Sequence, residues 1–128
     1  MTYVNVIYDF LSSFFAIFDA HVNEYWVVDD KVYGDIEWND ESEKQSFTWN
    51  IGLEVSIIAK LRALCDFLIK NNLINGDRII VSEETLKAKL IALGWDLSEA
   101  EKYINYLCTV EIKMVDNGEE TDSFFIHF

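Results

Sequence analysis

The chain has 128 residues, 51% of them apolar and 15% aromatic, with no proline and a formal net charge of −13 from 23 acids against 10 bases. That length suits one domain, 1–128, with a core of its own, and the composition excludes the low-hydrophobicity, high-charge class of disordered chains. Acidity of this size argues against nucleic acid as a partner, because carboxylates would face phosphates, and it favours association with a basic protein.

Residues 3–22 read as a helix, with Val4, Ile7, Leu11, Phe14 and Phe18 in one stripe and Tyr8, Phe10, Phe15 and Ile17 widening it. So wide an apolar face must be covered, by the core or by a second copy in a homodimer through this helix. Asn5, Asp9, Ser12 and Ser13 interrupt the stripe and no basic flank precedes it. Neither a signal peptide nor a membrane span is expected, and the chain is placed in the cytoplasm.

From Tyr25 the period changes to two. Val32, Ile36 and Trp38 fall on one face of a strand, and Lys31, Tyr33, Asp35 and Glu37 on the other. Phe47, Trp49 and Ile51 alternate likewise after a polar loop, so the two runs predict an antiparallel hairpin, extended by residues 26–28 across Asp29 and Asp30. About half of the excess negative charge lies in residues 24–43, on Glu24, Asp29, Asp30, Asp35, Glu37, Asp40, Glu41 and Glu43 against Lys31 alone. Interleaved with these acids are Tyr25, Trp26, Tyr33 and Trp38, which either anchor the hairpin or supply apolar contact to a partner. The candidate partner-binding residues are therefore Glu24, Asp29, Asp30, Tyr33, Asp35, Glu37, Trp38, Asp40, Glu41 and Glu43.

Residues 53–71 predict a long helix through Ile57, Leu61, Leu64 and Leu68, with Asn71, Asn72 and Gly76 as stop signals. Residues 79–81 suggest a short strand. Ser82 suits an N-cap and Gly94 a helix end, and Ser98 with Glu101 has capping-box spacing ahead of Tyr103, Ile104 and Leu107. Val110, Ile112 and Met114, the turn dipeptide Asn117-Gly118, then Phe124, Ile126 and Phe128 predict a terminal hairpin. The fold class is thus α+β: an N-terminal helix and acidic hairpin (1–52) packed on a helix-strand-helix-helix-hairpin unit (53–128).

By element order the unit 53–128 resembles the winged-helix module. In that family the third helix and the wing often meet DNA, yet here the corresponding helix carries Glu99, Glu101, Lys102 and Asn105, and the wing turn carries Asp116, Glu119, Glu120 and Asp122. The resemblance therefore implies a module used for protein contact.

No chemistry-bearing constellation stands out. His21 and His127 are the only imidazoles, Cys65 and Cys108 lie in apolar segments as reduced thiols, and the glycines are too scattered for a phosphate loop. Asp35 and Glu37 are spaced as an acid and base pair would be, but such pairs are common among so many acids. No enzyme, cofactor or metal is expected. In general character the chain looks like bacterial toxin-immunity proteins of the contact-dependent inhibition type, which implies an inhibitor covering the active site of a basic, nuclease-type toxin. The alternatives are a phage anti-defence protein that mimics DNA and a winged-helix adaptor for complex assembly that does not bind DNA.

Overall fold

The computed structural model describes residues 3–40 and 43–128. Helix α1 (Tyr3–Ile17) leads into a meander of β1 (Ala20–Val28), β2 (Lys31–Trp38) and β3 (Lys44–Asn50). Helix α2 (Val55–Lys70), a two-residue hairpin of β4 (Ile74–Asn75) and β5 (Arg78–Ile79), helices α3 (Glu83–Leu93) and α4 (Leu97–Thr109), and hairpin strands β6 (Ile112–Asp116) and β7 (Glu119–Phe124) follow. The α+β class and the order of the three C-terminal helices and the last hairpin are as the periodicities require, but in place of the single strand expected at 79–81 stands the β4–β5 hairpin, which shares only Ile79 with it.

The larger sheet has five antiparallel strands in the order β1-β2-β3-β6-β7. Pairing of Ser46 with Val115 and Thr48 with Lys113 joins the N-terminal meander to the terminal hairpin, so one sheet crosses the boundary between the two halves of the sequence. Inward-facing Val32, Ile36, Phe47, Trp49, Ile112 and Met114 are buried, and α1 lies over them. The Phe10 ring meets Trp49 at 5.3 Å and Phe15 meets Phe47 at 5.0 Å. Helix α2 covers the other side of α1 and contacts α4 in turn. The α1 stripe is thereby covered within the chain, with Val4 and Tyr8 left exposed.

Helix α1 ends five residues before the expected Val22. Asp19 adopts φ 61°, and its carbonyl and carboxylate accept hydrogen bonds from the Asn39 backbone and side-chain amides at 3.0 and 3.1 Å. That contact comes from the far end of β2 and turns the chain into a nine-residue strand, β1, of which only residues 26–28 are legible as strand. The cap of α4 also differs from expectation. The capping box is Asp96 with Glu99, not Ser98 with Glu101: the Glu99 amide donates to Asp96 at 2.8 Å, and the Asp96 amide donates to Glu99 at 3.4 Å. Asp is as good an N-cap as Ser, and the helix begins two residues earlier. Ser82 does cap α3, accepting from the Thr85 amide at 3.1 Å, and Gly94 ends that helix at φ 116°. The Asn117-Gly118 turn has both residues at positive φ, which matches the twist of a two-residue hairpin.

Cys65 and Cys108 are free thiols. Burial pushes the Cys65 thiol far up from its ordinary 9.0, with the Asp66 charge adding to the shift, and burial followed by the Glu83 charge raises Cys108. A thiol whose folded pKa is raised holds its proton better folded than unfolded. For the fully buried Cys65 that contribution is complete below pH 9 and is lost as pH rises above it, by about 1.4 kcal/mol per pH unit, and the partly exposed Cys108 acts in the same direction. Thermal unfolding between pH 7 and 10.5 should show a midpoint that falls beyond pH 9. Cys65→Ala should start lower at pH 7 and fall less steeply, and an equally steep fall would assign the loss to other groups.

Candidate functional site

The outer face of the sheet, opposite α1, is built in rungs by the strand register. One rung places Val28, Lys31 and Asn50 side by side, the next Trp26, Tyr33, Thr48 and Lys113, the next Glu24, Asp35, Ser46 and Val115, and the last His21, Glu37 and Lys44. Residues directly opposite one another share a face, so these are neighbours about 5 Å apart across strands and about 7 Å apart along them. A bulge between Val22 and Glu24 takes Asn23 out of register and aims Glu24 and Trp26 outward.

Gly34 makes this geometry available. A Cβ there would meet the Phe47 ring at 2.9 Å on the inner side and would collide with the carbonyl oxygen of Glu24. The bare backbone lets the ring lie across β2 and lets the bulged strand approach closely.

Trp26 is 53% exposed, and its ring stacks on Tyr33 with centroids 6.0 Å apart and planes 14° from parallel. The Lys31 ammonium sits 5.3 Å from the centre of the Tyr33 ring. Thr48 beneath is buried and donates to the Val32 carbonyl at 3.2 Å. In the next rung Glu24 and Asp35 stand opposite each other, two like charges in direct register. The Asp35 Oδ1 atom is buried and has no hydrogen-bond partner among the described residues. Lys113 of the same face is paired with Glu120 at 3.3 Å.

Compared with protein-family models, curated proteins and solved structures, the chain matches none. The geometry of this face therefore carries the functional argument alone.

Of the ten residues singled out from the sequence, eight fall into three groups, and Trp38 and Glu41 stand apart. Glu24, Tyr33, Asp35 and Glu37 come together on the outer face. Asp29 and Asp30 form the exposed β1–β2 turn, beside an open hollow lined also by Lys31, Tyr33 and Asn50, whereas Asp40 and Glu43 lie exposed at the other end of β2. Eight residues of strand separate these two clusters by about 25 Å. Trp38 is half-buried on the inner side, its ring 5.7 Å from Phe124, so it belongs to the packing. Glu41 lies outside the described residues.

The four aromatics of the acidic segment thus split evenly. Tyr25 stacks on Tyr8 of α1 at 5.4 Å and donates to the Val4 carbonyl, and Trp38 packs inward, while Trp26 and Tyr33 face out. Ser46 and Thr48 complete the face and could have been found from the alternation of β3. Lys113 and Val115 could not, since no local pattern announces the pairing of β3 with β6.

His21 and His127 do not meet. His21 shares a 2.8 Å hydrogen bond with Asn39 on edge strand β1, whereas His127 sits 3.5 Å from Asp77 beyond the opposite edge. Among the described residues no group of three His, Cys, Asp or Glu is placed to hold a metal ion, and no helix is long and apolar enough to cross a membrane.

Proposed function

We propose that this chain is a stoichiometric protein inhibitor that binds a basic protein, as an immunity protein binds a nuclease-type toxin, and that it does so in the cytoplasm. One observation carries the reading: a stacked Trp26–Tyr33 pair open to solvent and flanked on its own sheet face by Glu24, Asp35 and Glu37. Aromatic anchors with charge around them are the composition of an interface, the rings supplying contact area and the charges steering the approach. On a nuclease the carboxylates take the place of the substrate's phosphates, and Trp26 and Tyr33 fill the space its bases would occupy. The net charge of −13 extends the attraction beyond the contact area, and free thiols suit a reducing compartment.

The test is capture of partners from the source organism, followed by affinity at two salt concentrations. A basic partner whose affinity falls steeply between 50 and 500 mM salt supports the proposal. A tight partner with an acidic surface and no salt dependence overturns it. Within such a complex, Glu24→Lys with Asp30→Lys and Glu37→Lys should slow association about tenfold or more at low salt, with the fold kept. Stopped-flow rates that match the unaltered chain would move the interface elsewhere.

A second reading, an adaptor for complex assembly, draws on a separate surface. Ile91, Leu93 and Leu97 are exposed at 44%, 59% and 52% around the turn joining α3 to α4. Light scattering that shows concentration-dependent self-association, abolished by Leu93→Ser with Leu97→Ser, would favour it.

A further inference from the structure

We infer that Asp35 is the acceptor for an arginine side chain of the bound partner, with the Trp26–Tyr33 stack as the surface against which the guanidinium and its stem lie. The inference rests on the inhibitor reading and names the group that the acidic face receives.

Three features of the face lead to it. The first is the unpartnered Asp35 Oδ1, buried although the residue as a whole is only partly covered. Buried acceptors are nearly always satisfied, and an ionised one without a donor is a standing cost to the fold. Its neighbours do not relieve it: Glu24 opposite and Glu37 two residues along the strand add like charge, and Ser46 makes no hydrogen bond to it. A donor from outside is what the site lacks.

The second feature is the aromatic pair one rung away, about 7 Å along the strand. Guanidinium is planar and weakly hydrated, and it stacks on aromatic faces while its fork binds a carboxylate with two parallel N–H donors. An ammonium offers a point charge, holds its water more tightly and cannot span both oxygens. Lys31 above the Tyr33 ring shows that this stack already accepts a cation at its edge. The exposed face of Trp26 remains for a second one.

The third is charge. Around Asp35 the face has the carboxylates of Glu24 and Glu37, with Lys44 and His21 on either side of Glu37 in its own rung, and Lys113 already engaged with Glu120. The local balance is negative, which favours a cationic occupant over a neutral donor such as an amide. The carboxylate torsion χ2 is broad, so rotation brings Oδ1 from its buried position to the solvent side, where an approaching guanidinium meets it.

The experiment uses the full chain labelled with nitrogen-15 and two blocked tripeptides, one of arginine and one of lysine, titrated in parallel. The arginine peptide should shift the Trp26 indole and the Gly34, Asp35 and Ser46 amides, and should bind about five- to tenfold more tightly than the lysine peptide. Asp35→Asn should weaken arginine binding about tenfold, and Trp26→Ala several-fold, whereas Glu37→Gln should cost less than about threefold as a rim charge. Amide spectra and melting of each variant establish that the fold is kept. Equal affinity for the two peptides with shifts spread over all the acidic surface, or Asp35→Asn titrating like the unaltered chain, overturns the inference.

Failure of this site and failure of the inhibitor reading are separable. A basic protein partner bound equally well by the Asp35→Asn chain keeps the inhibitor and removes the arginine site. Arginine-selective binding at Asp35 in a chain whose partner is acidic keeps the site and removes the inhibitor.

Discussion

Phe15→Ala is expected to lower stability by about 3–5 kcal/mol, the range for removing a buried aromatic ring from a core that cannot collapse around the gap. Phe15 is fully buried, and its ring meets Phe14 at 5.6 Å, Phe47 at 5.0 Å and Phe124 at 5.8 Å. Those partners sit on α1, β3 and β7, so one side chain ties the helix to both halves of the sheet. Against a typical total of about 5–15 kcal/mol the loss is a large fraction, and the melting temperature should fall by roughly 10–20 °C. Urea unfolding checks it: the midpoint should drop with an unchanged slope. A loss below about 1 kcal/mol would mean that Phe14, Phe18 and Phe124, whose rings also touch, close the space.

Gly34→Ala is the second large effect. The added methyl would press on the Phe47 ring and on the Glu24 carbonyl oxygen, and the cost should be about 2–3 kcal/mol. A ring can tilt but a bulged backbone cannot easily retreat. In a chain that also carries Phe47→Leu, part of the loss should be recovered, so that the double variant is less damaged than the sum of the singles by about 1 kcal/mol. Additive losses would show that the Glu24 carbonyl alone sets the cost. Because the outer face depends on the bulge, Gly34→Ala should also weaken partner binding beyond its effect on stability.

The helices of the C-terminal half were legible because their signals are local: Ser82 and Gly94 bracket α3, and Asn71 with Asn72 at φ 54° ends α2. The alternation in β2 likewise predicted which residues face the core, with Val32 and Ile36 buried and Tyr33, Asp35 and Glu37 opposite. The end of α1 was not legible. Phe18 and Val22 continue a helical spacing, and what overrides it is Asn39, twenty residues on, holding Asp19 in a conformation that ends the helix. For the candidate site, the acids and aromatics could be named from the sequence, but their sorting depended on the sheet. Trp38 shares the face of Val32 and Ile36 by alternation, whereas the outward side of Trp26 depends on the bulge that sets the register of β1.

The pairing of β3 with β6 sets an order of events during synthesis. Ser46 and Thr48 find their partners, Val115 and Lys113, only after the three helices and the β4–β5 hairpin between them have been made. Until the ribosome releases that stretch, β3 is an unpaired edge bearing Phe47 and Trp49, exposed to neighbouring nascent chains. The acidic strands beside it then repel like copies during that interval, so the charge proposed to draw in a partner would also guard the chain while it is incomplete.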